Sequence, residues 1–132
     1  MGHYGVQSAF VGADAVMSDG TVLTTPGVLV ISMVGKASGV PVHVVTDLWK
    51  LLDALGPEIQ EVNEEPDSDG VPEAQTWAEA GFGFLNPLVD IVPGSYLTSY
   101  VTEFGQLEPA AVGEVARAKY GFGTADPGPT DP

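Results

Sequence analysis

The feature that most constrains this chain is an apolar stretch, TVLTTPGVLVISMVGKASG (residues 21–39), with Pro26 near its start and Gly39 at its end. Periodicity alone leaves residues 28–34 as either a buried strand or a buried helix. The flanks decide between them. Thr25 can cap a helix, Pro26 suits its first position because a proline leaves no N–H unpaired there, and Gly39 accepts the left-handed conformation that ends helices. A helix over residues 26–37 is expected. Because it is apolar nearly all round, it should lie deep in the domain.

The segments around it alternate. Residues 8–16, SAFVGADAV, form a short apolar strand ending in a Gly-Ala-Asp turn, and Ser18-Asp19-Gly20 is a second turn with Gly20 suited to positive φ. Residues 41–45, PVHVV, form a β-branched strand expected to be buried on both faces. On that strand His43 reads as a packed, hydrogen-bonded residue rather than a ligand. Thr46 or Asp47 can cap a short helix carrying Trp49, Leu51, Leu52 and Leu55, which Gly56-Pro57 stops. Order resumes over residues 76–93, followed by a helical stretch near 95–99 and a strand at 100–103. A last helix opens at Pro109, with Val112, Val115, Ala116 and Tyr120 at core-facing spacing. Strand and helix joined by short links predict an α/β layer with a parallel sheet. The expected organisation is one domain over residues 1–120, with an acidic loop at 58–75 and a disordered Gly- and Pro-rich tail at 121–132.

Charge narrows the partners. Eighteen acidic residues face only Lys36, Lys50, Arg117 and Lys119, for a net charge of −14. Such a surface repels phosphate backbones and anionic membranes, so nucleic-acid and membrane partners are excluded. It fits either a basic partner or adaptation to high salt, and the spread of the acids along the whole chain favours salt. No apolar run approaches the roughly 18–20 residues needed to span a bilayer, and the first residues lack the pattern of a signal peptide. A cytoplasmic location is expected. The absence of cysteine removes disulfides and thiol chemistry. The sequence has no Walker loop, zinc-type histidine pair or Gly-x-Ser-x-Gly elbow, and neither a cofactor nor a metal is expected. Residues 65–70, EPDSDG, imitate the start of a calcium loop, but Thr76 stands where a bidentate Glu belongs.

Four blocks in order carry a family resemblance. GADAVMSDG (12–20) followed by Gly27 resembles "GADAV-x-x-(D/N)-G … N-K-x-G-T". GVPVHVV (39–45) followed by Lys50 resembles "G-V-P-V/F-Y-V-V/A … Y-K-F", and NPLVDIVP (86–93) resembles "N-P-x-F-D-x-T-P". TEFGQLEPAAV (102–112) resembles "T-E-x-G-x-L-x-P-S-A-V". Together they resemble the C-terminal domain of the family that unites the translation initiation factor 2B regulatory subunits with sugar-phosphate isomerases. The resemblance implies a Rossmann-like parallel sheet with flanking helices, incomplete relative to the family's C-terminal domain. It also implies dimerisation through this domain and a helical domain upstream. Family enzymes convert aldose phosphates to ketose phosphates, ribose-1,5-bisphosphate and methylthioribose-1-phosphate among them.

The resemblance assigns Asp14 to the position of the family's catalytic carboxylate, suited to moving a proton between adjacent sugar carbons. A bland reading gives Asp14 only a turn-capping role. Thr24 and Thr25 stand where the family has Asn-Lys, and Val28 stands for the Thr of its "G-T". Thr24, Thr25 and the helix mouth at Gly27 are the expected phosphate contacts, with the missing lysine charge weakening them. Lys50 matches a loop lysine, and either meets a phosphate or neutralises Asp47 and Asp53. Asp90 is expected to fix a turn. The isomerases also use an upstream cysteine that this sequence lacks. Three functions are compatible with these residues: a non-catalytic association domain, alone or with family-related subunits; an isomerase completed by a partner and binding a phosphorylated sugar or nucleotide; or a truncated structural remnant.

Overall fold

The computed structural model describes residues 2–52, 72–83 and 88–121. Most of the acidic stretch, the calcium-like residues 65–70, the Asn86-Pro87 pair and the tail from residue 122 lie outside them. The strands are β1 (Ala9–Val11), β2 (Ala15–Met17), β3 (Val22–Thr24), β4 (Val42–Val45), β5 (Leu51–Leu52), β6 (Asp90–Val92), β7 (Ser99–Thr102) and β8 (Gly105–Leu107). The α-helices are α1 (Val28–Ser38), α2 (Ala74–Glu79) and α3 (Val112–Tyr120).

The fold is α/β, with two four-stranded sheets. One has the order β1-β4-β7-β8, the other β5-β2-β3-β6. In the first, β1, β4 and β7 run parallel, and β8 returns antiparallel from β7. The second is mixed: β2 and β5 are parallel, while β3 pairs antiparallel with both β2 and β6. The expected parallel sheet is thus the centre of the first layer, extended by an antiparallel strand. The single strand expected over residues 8–16 is two strands in different sheets, because the chain bends at Gly12 and Ala13. After the bend, the Asp14 N–H donates to the Leu23 carbonyl at 2.8 Å.

The core is built from Val16, Val22, Val42, Val44, Leu48, Val92, Tyr100, Val112 and Ala116. Each fully buried aliphatic side chain of valine or leucine size contributes on the order of 1.5–3 kcal/mol relative to exposure. The buried Tyr100 hydroxyl donates to the Gly20 carbonyl. Burial, and secondarily the charge of Asp19, push that phenol well above its ordinary value. Gly20 has φ 85° and Gly94 faces its carbonyl, so the turn packs tightly against Pro109.

Several local expectations change. Helix α1 is not buried all round: only Ser32 and Gly35 are buried, and Val30 is 62% exposed. The small Gly35 lets the helix approach Val42 closely along one narrow stripe, leaving the rest of the apolar surface outward. Strand β4 buries Val42 and Val44, whereas Val45 is 50% exposed, so it is covered on one face only. The helix expected after Asp47 is a single 3-10 turn, Leu48–Lys50, running into β5. The helical stretch near residue 95 is likewise a 3-10 turn, Gly94–Tyr96, and Ser99 already belongs to β7. Helix α2 begins inside the expected 58–75 loop, after Glu73 in a left-handed conformation, and holds Thr76. Helix α3 follows a 3-10 turn, Pro109–Ala111, and ends at Gly121 in the left-handed conformation.

Candidate functional site

Ligands of open α/β sheets bind beyond the carboxyl ends of parallel strands. Here that edge carries the Gly12-Ala13-Asp14 bend, which follows β1. Three distant groups hold the bend. The Thr24 hydroxyl donates to the Gly12 carbonyl at 2.9 Å, the Lys50 ammonium donates to the Ala13 carbonyl at 3.0 Å, and the Leu23 carbonyl accepts from the Asp14 N–H. Ala13 is buried while Asp14 is exposed. Asp14, Thr24 and Lys50 are thereby gathered around one turn of backbone. The Lys50 cation sits on the bend itself.

The helix mouth differs from its expected form. Thr25 is exposed and does not cap α1; Gly27 does, at φ 104°, a conformation open to glycine. The capping group comes from elsewhere. The Asp90 carboxylate accepts the N–H of Gly27 at 2.8 Å and of Leu29 at 3.0 Å through one oxygen, Oδ2. Pairing of β3 with β6 sets Thr24 opposite Asp90, which brings this carboxylate to the mouth of α1. Asp90, expected to fix a turn, is instead an internal anion at the positive end of a helix. One signal could have found it: no Ser, Thr, Asp or Asn stands at the position immediately before Val28 to cap so apolar a helix.

A shallow cleft of about 440 Å³ opens at the carboxyl ends of β4 and β7, lined by Val45, Thr46, Asp47, Lys50, Val101, Thr102 and Glu103. Sequence reasoning missed Glu103. Both its oxygens accept the Leu48 N–H at 3.0 Å, and Oε1 also accepts the Tyr120 hydroxyl at 2.8 Å. Burial pushes this carboxyl up, but hydrogen bonds from its own backbone, Tyr120 and Leu48 outweigh that and hold it below the usual value. The hydrogen bond to the Glu103 carboxylate raises the Tyr120 phenol above its ordinary value. Glu103 therefore ties the end of α3 to the turn carrying Lys50. A larger cleft of about 550 Å³ lies beside Asp19, Thr21, Pro93, Ser95 and Glu108. It contains none of the residues gathered at the bend, and it lacks the strand-end geometry that places ligands in this class of fold.

His43 is packed as expected. Its Nδ1 lies 2.7 Å from the Ser99 hydroxyl, and its ring centroid lies 5.2 Å from that of Phe10. Among the described residues no cluster of three His, Cys, Asp or Glu side chains could hold a metal, and no helix is long and apolar enough to cross a membrane.

The profile of the Initiation factor 2 subunit family matches residues 1–109. This chain belongs to that family. Ribose 1,5-bisphosphate isomerase of Haloferax volcanii is 31% identical over 123 residues, covering 92% of this chain but 38% of the relative. Among solved structures, 5-methylthioribose 1-phosphate isomerase from Pyrococcus horikoshii OT3 aligns with a TM-score of 0.66 at 21% identity, over 89% of this chain and 34% of that one. The tetrameric eIF2B-beta2-delta2 complex from C. thermophilum aligns with a TM-score of 0.61 at 16% identity, over 86% and 31%. The family member thus spans a little over a third of the length of the Haloferax volcanii relative it matches.

Proposed function

We propose that this chain is an initiation factor 2B-related domain that acts through protein association and does not turn over a sugar phosphate by itself. The observation that carries this reading is the ligand loop at the mouth of α1, where Thr24 and Thr25 stand in place of the family's Asn-Lys pair. Among the described residues no cation offsets the Asp90 carboxylate, a residue that the family block also carries. A phosphate approaching Gly27 meets N–H groups already bonded to a carboxylate, and a negative charge already in place. The Thr24 hydroxyl is spent on the Gly12 carbonyl, and neither Thr24 nor Thr25 supplies the positive charge a phosphate needs. What remains intact is the framework: sheets, bend and core. The similar C. thermophilum structure is a tetrameric complex of eIF2B beta and delta subunits. Association of this chain with itself or with family-related subunits follows that mode. Work in the cytoplasm at high salt suits its charge of −14.

A second reading, an isomerase completed by a partner, is favoured by Lys50 and Asp14 at one bend. In that reading Asp14 moves the proton and Lys50 meets the substrate phosphate, with Thr24, Thr25 and Gly27 nearby. One experiment separates the two. The chain is assayed with ribose 1,5-bisphosphate and methylthioribose 1-phosphate, alone and together with family-related subunits, beside Asp14→Asn. No conversion that depends on Asp14 is expected in any assembly, and turnover by an assembly that Asp14→Asn abolishes refutes the association reading.

A further inference from the structure

The acids run along the whole chain but crowd in one place: eight of the 18 fall within residues 58–79, and no Lys, Arg or His stands between Lys50 and Arg117. At the end of that crowded stretch, α2 is an ordered element that buries none of its residues, and of residues 72–83 all but Ala74 are exposed. Two backbone bonds close its C-terminal end. The Phe82 N–H donates to the Trp77 carbonyl at 3.1 Å and the Gly81 N–H to the Ala78 carbonyl at 3.0 Å, with Gly81 at φ 89°. This form of helix stop folds the residue after the glycine back onto the last turn. It sets Phe82 against Trp77, with ring centroids 5.6 Å apart and planes at 83°. The two rings are thus held as a pair, yet Trp77 stays 47% and Phe82 60% exposed. The other end of α2 is strained, because Glu73 is the one non-glycine residue with positive φ among those described.

We propose that the Trp77–Phe82 pair is an anchor for a basic protein surface bearing an apolar pocket, with Glu73 and Glu79, at either end of α2, meeting its cations. The inference goes beyond the association reading and does not depend on it, since it concerns a separate element and a partner of opposite charge. Chemistry selects the occupant. Tryptophan is over-represented among the residues that carry most of the binding energy at protein interfaces, and a pair held in place before contact loses little freedom on docking. The carboxylates of this base-free stretch repel a second copy of the chain, nucleic acid and anionic lipid alike, and attract cations. At molar salt that attraction reaches only about 3 Å. There the rings supply the affinity, and the carboxylates act only in direct contact.

The test uses the full chain carrying Trp49→Phe, which leaves Trp77 as its single tryptophan. The probe is a synthetic Leu/Lys peptide with leucine on one helical face and lysine on the other, and a Leu/Glu peptide of the same pattern is the control. Titration at about 1 M KCl removes long-range attraction to a chain of charge −14. The Leu/Lys peptide is expected to shift Trp77 emission to the blue, the Leu/Glu peptide to leave it unchanged, and Phe82→Ala to weaken binding by roughly tenfold. Circular dichroism checks that Phe82→Ala is folded, which the exposure of Phe82 favours. In the reciprocal variant, Trp77→Phe, the emission of Trp49 should stay where it is. Equal binding by Phe82→Ala, or a shift at Trp49 and none at Trp77, overturns the anchor. Leu/Glu binding as tight as Leu/Lys overturns the basic partner. A blue shift that grows with the chain's own concentration, without peptide, assigns the pair to a second copy and also overturns the proposal. Sedimentation keeps the association reading separate: self-association unchanged in Phe82→Ala while peptide binding falls supports a distinct anchor, and failure of the peptide to bind leaves any self-association standing.

Discussion

Replacing Asp90 by alanine tests the role assigned to the mouth of α1. The substitution removes two N–H···O⁻ bonds, from Gly27 at 2.8 Å and Leu29 at 3.0 Å, and with them the carboxylate charge set against the helix dipole at that end. A lost cap costs about 0.5–2 kcal/mol, and bonds to a charged acceptor contribute about 1.5–3 kcal/mol. The Gly27 N–H is exposed, so water replaces part of its bond, whereas the Leu29 N–H is partly buried and loses more. A destabilisation of about 1.5–2 kcal/mol results. For a domain of this size that lowers Tm by roughly 5–10 °C. Asp90→Asn keeps an acceptor oxygen and loses the charge, so it costs about 0.5–1 kcal/mol. Urea denaturation followed by circular dichroism gives both values, and inorganic phosphate titrated into each protein gives the second readout. Phosphate should raise the stability of Asp90→Ala and leave the parent chain unchanged. Equal stability of all three proteins, or phosphate binding by the parent as tight as by Asp90→Ala, would refute the internal-anion account.

Three further outcomes follow from the same structure. Gly113→Ala sets a Cβ inside van der Waals distance of the Ser18 carbonyl, so it should destabilise by about 2–3 kcal/mol in the same urea assay; a neutral effect would mean that α3 does not pack on the Ser18 turn. Glu103 has a folded pKa below its ordinary 4.5, so its contribution is present above that value and is lost as pH falls through the lowered one. On passing from neutral pH to strongly acid solution the parent chain should therefore lose more stability than Glu103→Gln, and parallel pH profiles would contradict this. With a charge of −14, melting temperature should rise as KCl goes from low to molar concentration, through screening of self-repulsion; a flat or falling profile would remove the high-salt reading.

The residues that decide these tests are unequally visible in the sequence. Gly39 and Gly20 announce a helix end and a turn, and both take the left-handed conformation there. Val42 and Val44 are legible as a strand, and Val112 and Ala116 as a helical core face. Each of these depends on a preference expressed within a few residues. The alternation of strand and helix is enough to give the α/β class. The four short blocks are enough to give the family.

Other features require distant segments to meet. Asp90 reaches Gly27 across 63 residues, through a strand pairing that no local pattern encodes. Lys50 finds the Ala13 carbonyl across 37 residues. The exposed side of α1 and the open face of the first sheet reverse what hydrophobicity implies. An apolar side chain declares only that burial is favourable, and whether a neighbour exists to bury it is decided by what packs alongside. Composition and short-range conformational preference thus determined the elements of this protein. Non-local pairing, which fixes register and coverage, determined which carboxylate meets the helix and which apolar surface stays exposed.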